Sequence, residues 1–128
     1  MLMSVALASG GLLLWPAVSG AASAGALSAN DAVQLINRQK AVVIDVGEAE
    51  EFAAGHIGGA RNIPVGQLEE RLAATVKNKS LPLVLVCPSG ARAKRAVAIA
   101  KKLGYEQAAS IGGGLKAWRE ANLPVEKT

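Results

Sequence analysis

Leu81-Pro82-Leu83-Val84-Leu85-Val86-Cys87-Pro88-Ser89-Gly90-Ala91-Arg92 is the stretch on which the reading of this chain turns. Its first half is a short apolar run rich in branched residues, the pattern of a strand buried on both faces of a parallel sheet. Its second half is a turn, and a helical pattern follows from Ala91 to Leu103. Cys87 therefore stands where a strand ends and a helix begins. The free N–H groups of a helix N-terminus favour an anion, and Arg92, Lys94 and Arg95 add positive charge close by. Sulfur is a nucleophile in its anionic form, so the junction reads as a nucleophile in an anion-binding cradle, against the alternative of an inert buried thiol.

The pattern extends in both directions. Ser28-Ala29-Asn30-Asp31 has capping-box spacing, with Asp in place of Glu, and opens a helix ending near Arg38. Ala41 to Val46 reads as a buried strand, and Glu48 to Ala54 as a short helix stopped by Gly55. A brief strand around Ala60 to Ile63 precedes Pro64, which disfavours the helical region at Ile63. Gln67 to Val76 is amphipathic, with Leu68, Leu72 and Val76 at helical spacing. Gly104 is the expected C-cap of the helix that starts at Ala91. A strand near Ala108 to Ile111 then leads through Gly112, Gly113 and Gly114 into a last helix carrying Trp118. Strands alternating with helices predict an α/β fold with a parallel sheet covered on both faces. Ligands on such sheets bind at the carboxyl ends of strands, and Cys87 lies at one of them.

Cys87-Pro88-Ser89-Gly90-Ala91-Arg92 resembles the Cys-x-x-Gly-x-Arg active-site loop of the rhodanese-type sulfurtransferases. Three further segments agree with that family in order and spacing: Val43-Ile44-Asp45-Val46, the run from Glu51 through Gly55-His56-Ile57 to Asn62-Ile63-Pro64, and Gly112-Gly113-Gly114-Leu115-Lys116-Ala117-Trp118. The resemblance implies a rhodanese-like domain over 28–128. It also implies a ping-pong reaction, in which Cys87 attacks the outer sulfur of thiosulfate, releases sulfite and holds a persulfide that a thiol or cyanide discharges. Cys87 is then the catalytic residue, and Ser89, Gly90, Ala91 and Arg92 bind substrate. Their N–H groups can converge on the sulfur, with Gly90 taking a positive φ and Arg92 pairing with a sulfonate-like group. The implied partners are a small anionic sulfur donor and a thiol acceptor, either a small molecule or a protein. No cofactor and no metal is implied.

Two positions depart from the family pattern. Pro88 has no N–H to add to the cradle, and Gly47 stands after Asp45-Val46 where the family commonly has Arg. His56 sits in a family motif that is mainly structural, and attack on sulfur by a thiolate needs no base. Asp45 and Trp118 likewise read as structural. A phosphatase of the Cys-x5-Arg type is disfavoured, because only four residues separate Cys87 from Arg92 and the next residue is Ala93. The other competing function is a membrane-tethered, non-enzymatic rhodanese module that binds a partner or relays sulfur.

Composition narrows the choice. The single Cys excludes an internal disulfide and a multi-cysteine zinc site, and leaves no resolving thiol in the chain. All 14 Lys and Arg and all 10 Asp and Glu lie in residues 31–128, for a net charge of +4. That length suits one domain. With Phe52, Tyr105 and Trp118 as its aromatics, the domain has no stacking platform for nucleic acid. Leu2 to Val18 is apolar or small throughout. Its roughly 17 residues are the lower limit for spanning hydrocarbon. The segment 1–18 is therefore expected to be a transmembrane helix, or a signal segment with Ala22-Ser23-Ala24 as its cleavage site, followed by a flexible linker over 19–27. Arg38 and Lys40 beyond it favour a single-pass protein of the inner or plasma membrane with its catalytic domain in the cytoplasm.

Overall fold

Side chains alternate along a strand, so the Leu83–Val86 run can feed two apolar layers at once, and the fold is arranged around that property. The structure, a computed structural model, describes residues 26–127. In chain order it comprises β1 (Ala26–Leu27), α1 (Ala29–Gln39), β2 (Val42–Asp45), α2 (Ala49–Ala54), β3 (Arg61–Asn62), a 3-10 turn (Val65–Gln67), α3 (Leu68–Thr75), β4 (Leu83–Val86), α4 (Ala91–Lys102), β5 (Ala108–Ile111) and α5 (Gly114–Glu120). The strands form one sheet in the order β1-β5-β4-β2-β3, with every pairing parallel.

Leu83 and Leu85 of β4 join Ile44, Leu68, Leu72, Ala93, Ala96 and Tyr105 in the layer under α3 and α4. Val84 and Val86 join Leu27, Ala32, Leu35, Ile111, Leu115 and Trp118 in the layer under α1 and α5. Cys87 keeps the parity of Leu83 and Leu85 and belongs to the α4 layer. Alanines at 93, 96 and 100 form the buried stripe of α4. From β2 the chain moves to one side to form β3 and later to the other side to form β4. The carboxyl ends of β2 and β4 thus flank a topological switch point, the place where open α/β sheets take ligands. Asp45 and Cys87 are found there.

Local signals act as their chemistry requires. Ser28 caps α1, its hydroxyl accepting the Asp31 N–H at 3.0 Å. Leu103 is the last capping residue of α4, and Gly104 follows it with φ 104°. At the end of α1 the left-handed residue is Lys40, with φ 57° and ψ 39°.

The single-pass placement in an inner or plasma membrane, with a cytoplasmic domain, is corrected by the structure. Among the described residues no helix is long and apolar enough to cross a membrane. The longest of them, α4, has 12 residues. At about 1.5 Å per residue that is roughly 18 Å, against a hydrocarbon layer of about 30 Å. It also carries Arg92, Lys94, Arg95, Lys101 and Lys102. Segment 1–18, on which the transmembrane helix and the membrane contact rested, lies outside the described residues, as does the expected linker as far as residue 25. Ala26 and Leu27, the end of that linker, pair with Ser110 and Ile111 as β1.

Candidate active site

Cys87 leaves β4 fully buried, and its Sγ accepts two backbone N–H groups from the turn and helix that follow. The Gly90 N–H lies 2.9 Å from the sulfur and the Ala93 N–H 3.4 Å. Both point at one atom because Gly90, the residue before α4, takes φ 100°, a value a side chain would strain. That curl turns the chain back over Cys87 and presents the first turn of α4 to it. The N–H groups of Ser89, Ala91 and Arg92 make no hydrogen bond to another described residue, and Ser89 and Ala91 are exposed. Of the residues expected to converge on the sulfur, Gly90 does so. Ala93, unmarked in the sequence, is the second donor.

A second turn backs the first. The N–H of Leu115 donates to the Cys87 carbonyl at 2.9 Å, and that of Lys116 to the Pro88 carbonyl at 3.2 Å. Gly114 has φ +61°, and a Cβ on it would collide with the Cys87 carbonyl and lie 2.7 Å from Gly90 N. The glycine run at 112–114 is thus the floor of the Cys87 loop. The close approach of two backbones is what demands glycine at 114.

Arg92 does not stand free. Its Nη1 and Nη2 donate to Glu51 Oε1 and Oε2 at 2.7 and 3.0 Å, a bidentate pair bridging α4 and α2. Glu51 Oε1 also accepts the Glu48 N–H at 2.7 Å. The Arg92 guanidinium first, and that N–H second, hold the Glu51 carboxyl down at about 2. The same hydrogen bond raises the Arg92 pKa. Glu51 was legible as part of a family segment but not as the partner of Arg92, since 41 positions separate them.

Asp45 closes this side of the site. Buried at the end of β2, it accepts the Gly47 N–H at 2.8 Å. Burial raises its pKa, with the Gly47 N–H pulling the other way. Position 47 is crowded by what surrounds the site. A Cβ there would lie 3.0 Å from Glu51 Oε1, 3.1 Å from Asp45 Oδ1 and 3.3 Å from Pro88 Cδ.

His56 is engaged elsewhere. Its Nδ1 pairs with the Phe52 carbonyl at 2.7 Å, its ring stacks on Phe52 at 3.7 Å, and its backbone bridges Glu126. Trp118, on the buried face of α5, packs into the layer beneath that helix and donates Nε1–H to the Pro124 carbonyl at 2.8 Å. Among the described residues no group of three or more His, Cys, Asp or Glu side chains is placed to hold a metal. Two shallow grooves flank the loop. One, of about 340 Å³, runs between Ser89, Gly90, Ala91 and Lys94 and the end of β5. The other, of about 250 Å³, lies between Pro88 and the Leu115–Glu120 side of α5.

The arrangement can hold an anionic sulfur by backbone donors and can pair an oxyanion with a guanidinium nearby. Comparison with known proteins gives it a context. The Rhodanese-like domain family matches residues 28–121. The chain is 41% identical over 80 residues to the uncharacterized protein YqhL of Bacillus subtilis, a match covering 62% of each, so less than two thirds of that protein's length. It is 34% identical over 95 residues to the thiosulfate sulfurtransferase GlpE of Pseudomonas putida, covering 74% of this chain and 84% of that one. Among solved structures, a rhodanese-related protein of Thermoplasma volcanium superposes with a TM-score of 0.71 at 27% identity, covering 80% of this chain and 98% of the other.

Proposed function

This chain belongs to the rhodanese-like domain family, and from that premise we propose that it transfers a sulfane sulfur through a persulfide on Cys87. A sulfurtransferase or sulfur-carrier function is the class that the family and its relatives support. The finer reading is thiosulfate sulfurtransferase chemistry. The observation that carries it is the pair of N–H groups, from Gly90 and Ala93, that a single buried sulfur accepts.

The chemistry balances in two displacements. The Cys87 thiolate attacks the outer sulfur of a donor such as thiosulfate. The donor's S–S bond breaks, and sulfite departs with the electron pair. A new S–S bond leaves Cys87 as a persulfide. An acceptor thiolate or cyanide then attacks the terminal sulfur, and Cys87 leaves as thiolate. Cys87 is a thiolate when it attacks the donor and again when it leaves the acceptor, so donors aimed at its sulfur act at both ends of the path. The free N–H groups of Ser89, Ala91 and Arg92 are the donors available to the longer persulfide. In this scheme Arg92 takes the oxyanion end of the donor. Pro88 contributes no N–H and holds its carbonyl on Lys116 instead.

Intact mass after incubation with thiosulfate is the deciding experiment. Because Cys87 is the chain's single cysteine, a gain of one sulfur atom that cyanide reverses supports the reading. A mass unchanged by thiosulfate and by alkyl persulfide donors refutes it.

A further inference from the structure

Both terminal nitrogens of Arg92 donate to Glu51, so an anionic donor arriving at the end-on edge of this guanidinium meets a fork already filled and a charge already paired. The pair is accessible, with side-chain exposures of 30% for Arg92 and 38% for Glu51. A carboxylate and a sulfonate-like group offer the fork the same geometry, two anionic oxygens side by side. An ion pair open to water is weak enough to exchange. When it opens, Glu51 Oε1 still has the Glu48 N–H at the start of α2, so the displaced carboxylate is kept close. Gly47 makes the crossing possible, since even a Cβ there would come within 3.0 Å of Glu51 Oε1.

We propose that Glu51 is a built-in competitor of the anionic sulfur donor, occupying the Arg92 fork until the donor's oxyanion end displaces it and so setting donor affinity. The proposal rests on the reading of Arg92 as the donor-binding residue. Glu51 touches no reacting atom; it is a positioning residue that acts through Arg92. Its effect falls on donor capture alone, because discharge of the persulfide by a thiol needs no oxyanion on the fork.

The test is equilibrium binding of thiosulfate to the full chain carrying Cys87→Ser, which binds donor without turnover. Glu51→Gln keeps the volume and a carbonyl oxygen for the Glu48 N–H but surrenders the charge. It should lower Kd about two- to fivefold, the range a half-exposed ion pair is worth. The same change added to Arg92→Ala should leave Kd where Arg92→Ala alone puts it. A Kd that is unchanged or raised by Glu51→Gln overturns the proposal, and Glu51 then serves only to hold Arg92 in place. So does a shift of equal size in the Arg92→Ala background. Failure of the sulfurtransferase reading looks different: thiosulfate binds and responds to residue 51, yet the unaltered Cys87 gains no sulfur.

Discussion

Gly114→Ala should disable the Cys87 loop from behind. The added methyl would meet the Cys87 carbonyl, Gly90 N at 2.7 Å and the Pro88 carbonyl at 3.0 Å, all of them backbone atoms that no rotamer change can move. Overpacking of this kind costs about 1–3 kcal/mol. Holding Ala at φ +61° adds about 1–2 kcal/mol. A loss of about 3 kcal/mol lowers Tm by more than about 12 °C in a domain of this size. Neighbouring glycines supply the controls. Gly113→Ala, at φ +77°, meets the Ala117 Cβ at 2.9 Å and no backbone atom closer than 3.9 Å, so it should cost about 1–2 kcal/mol of backbone strain plus a smaller overlap than at 114. Gly112→Ala makes ordinary contact with the Ala26 Cβ at 3.4 Å and should stay within about 0.5 kcal/mol. Urea unfolding gives the three stabilities, and alkylation of Cys87 followed by intact mass reports the loop. The expected order of damage is 114, 113, 112. If Gly114→Ala is as stable as Gly112→Ala and its Cys87 reacts at the parent rate, the two turns are not packed as argued.

Three further outcomes are expected. Cys87→Ser should gain no sulfur from thiosulfate by intact mass while keeping its thermal transition, since a hydroxyl can accept the same two N–H groups but forms no persulfide. Lys40→Gly should raise the urea midpoint by the equivalent of about 0.5–1 kcal/mol, because Lys40 ends α1 at φ 57° and a Cβ there is strained. Acid unfolding should report Glu51. Its carboxyl is held at about 2, below its ordinary 4.5, so the stability it brings is present above pH 4.5 and is lost as pH falls toward 2. The pair is open to water, so the loss should be no more than about 1 kcal/mol. Glu51→Gln should remove this part of the acid dependence. The raised Asp45 works in the opposite direction, since its charge opposes folding and acid relieves it.

The layers of this fold were legible because each strand signal is short-range. The branched apolar runs over Ala41–Val46 and Leu81–Val86 became β2 and β4 with the ends trimmed by one or two residues at most, and the short strand expected near Ala108–Ile111 became β5. The Ser28 hydroxyl opens α1, and Gly104 follows the Leu103 cap of α4 in the left-handed region, by chemistry contained within a few residues. β1 was not legible. Two residues, Ala26 and Leu27, carry no alternation to read, and they count as a strand only because Ser110 and Ile111 lie alongside.

The site divides along the same line. Cys87 and Gly90 could be picked out because the sulfur and its first donor are three residues apart, inside one turn whose punctuation is visible. Ala93 could not, since nothing in an alanine announces that its N–H faces a sulfur. Glu51 and Gly114 are hidden for a different reason. Their roles exist only where chain segments meet: Glu51 reaches an arginine 41 positions away, and Gly114 supports a carbonyl contributed by the end of another strand. A tertiary pair of this kind changes the chemistry that a local motif promises. Read alone, Arg92 is a free cation beside a nucleophile; in the fold it is one half of a bidentate ion pair with Glu51. If Arg92 takes the oxyanion end of the donor, as proposed, the affinity of the site for that donor is a property of α2 as much as of the Cys87 loop.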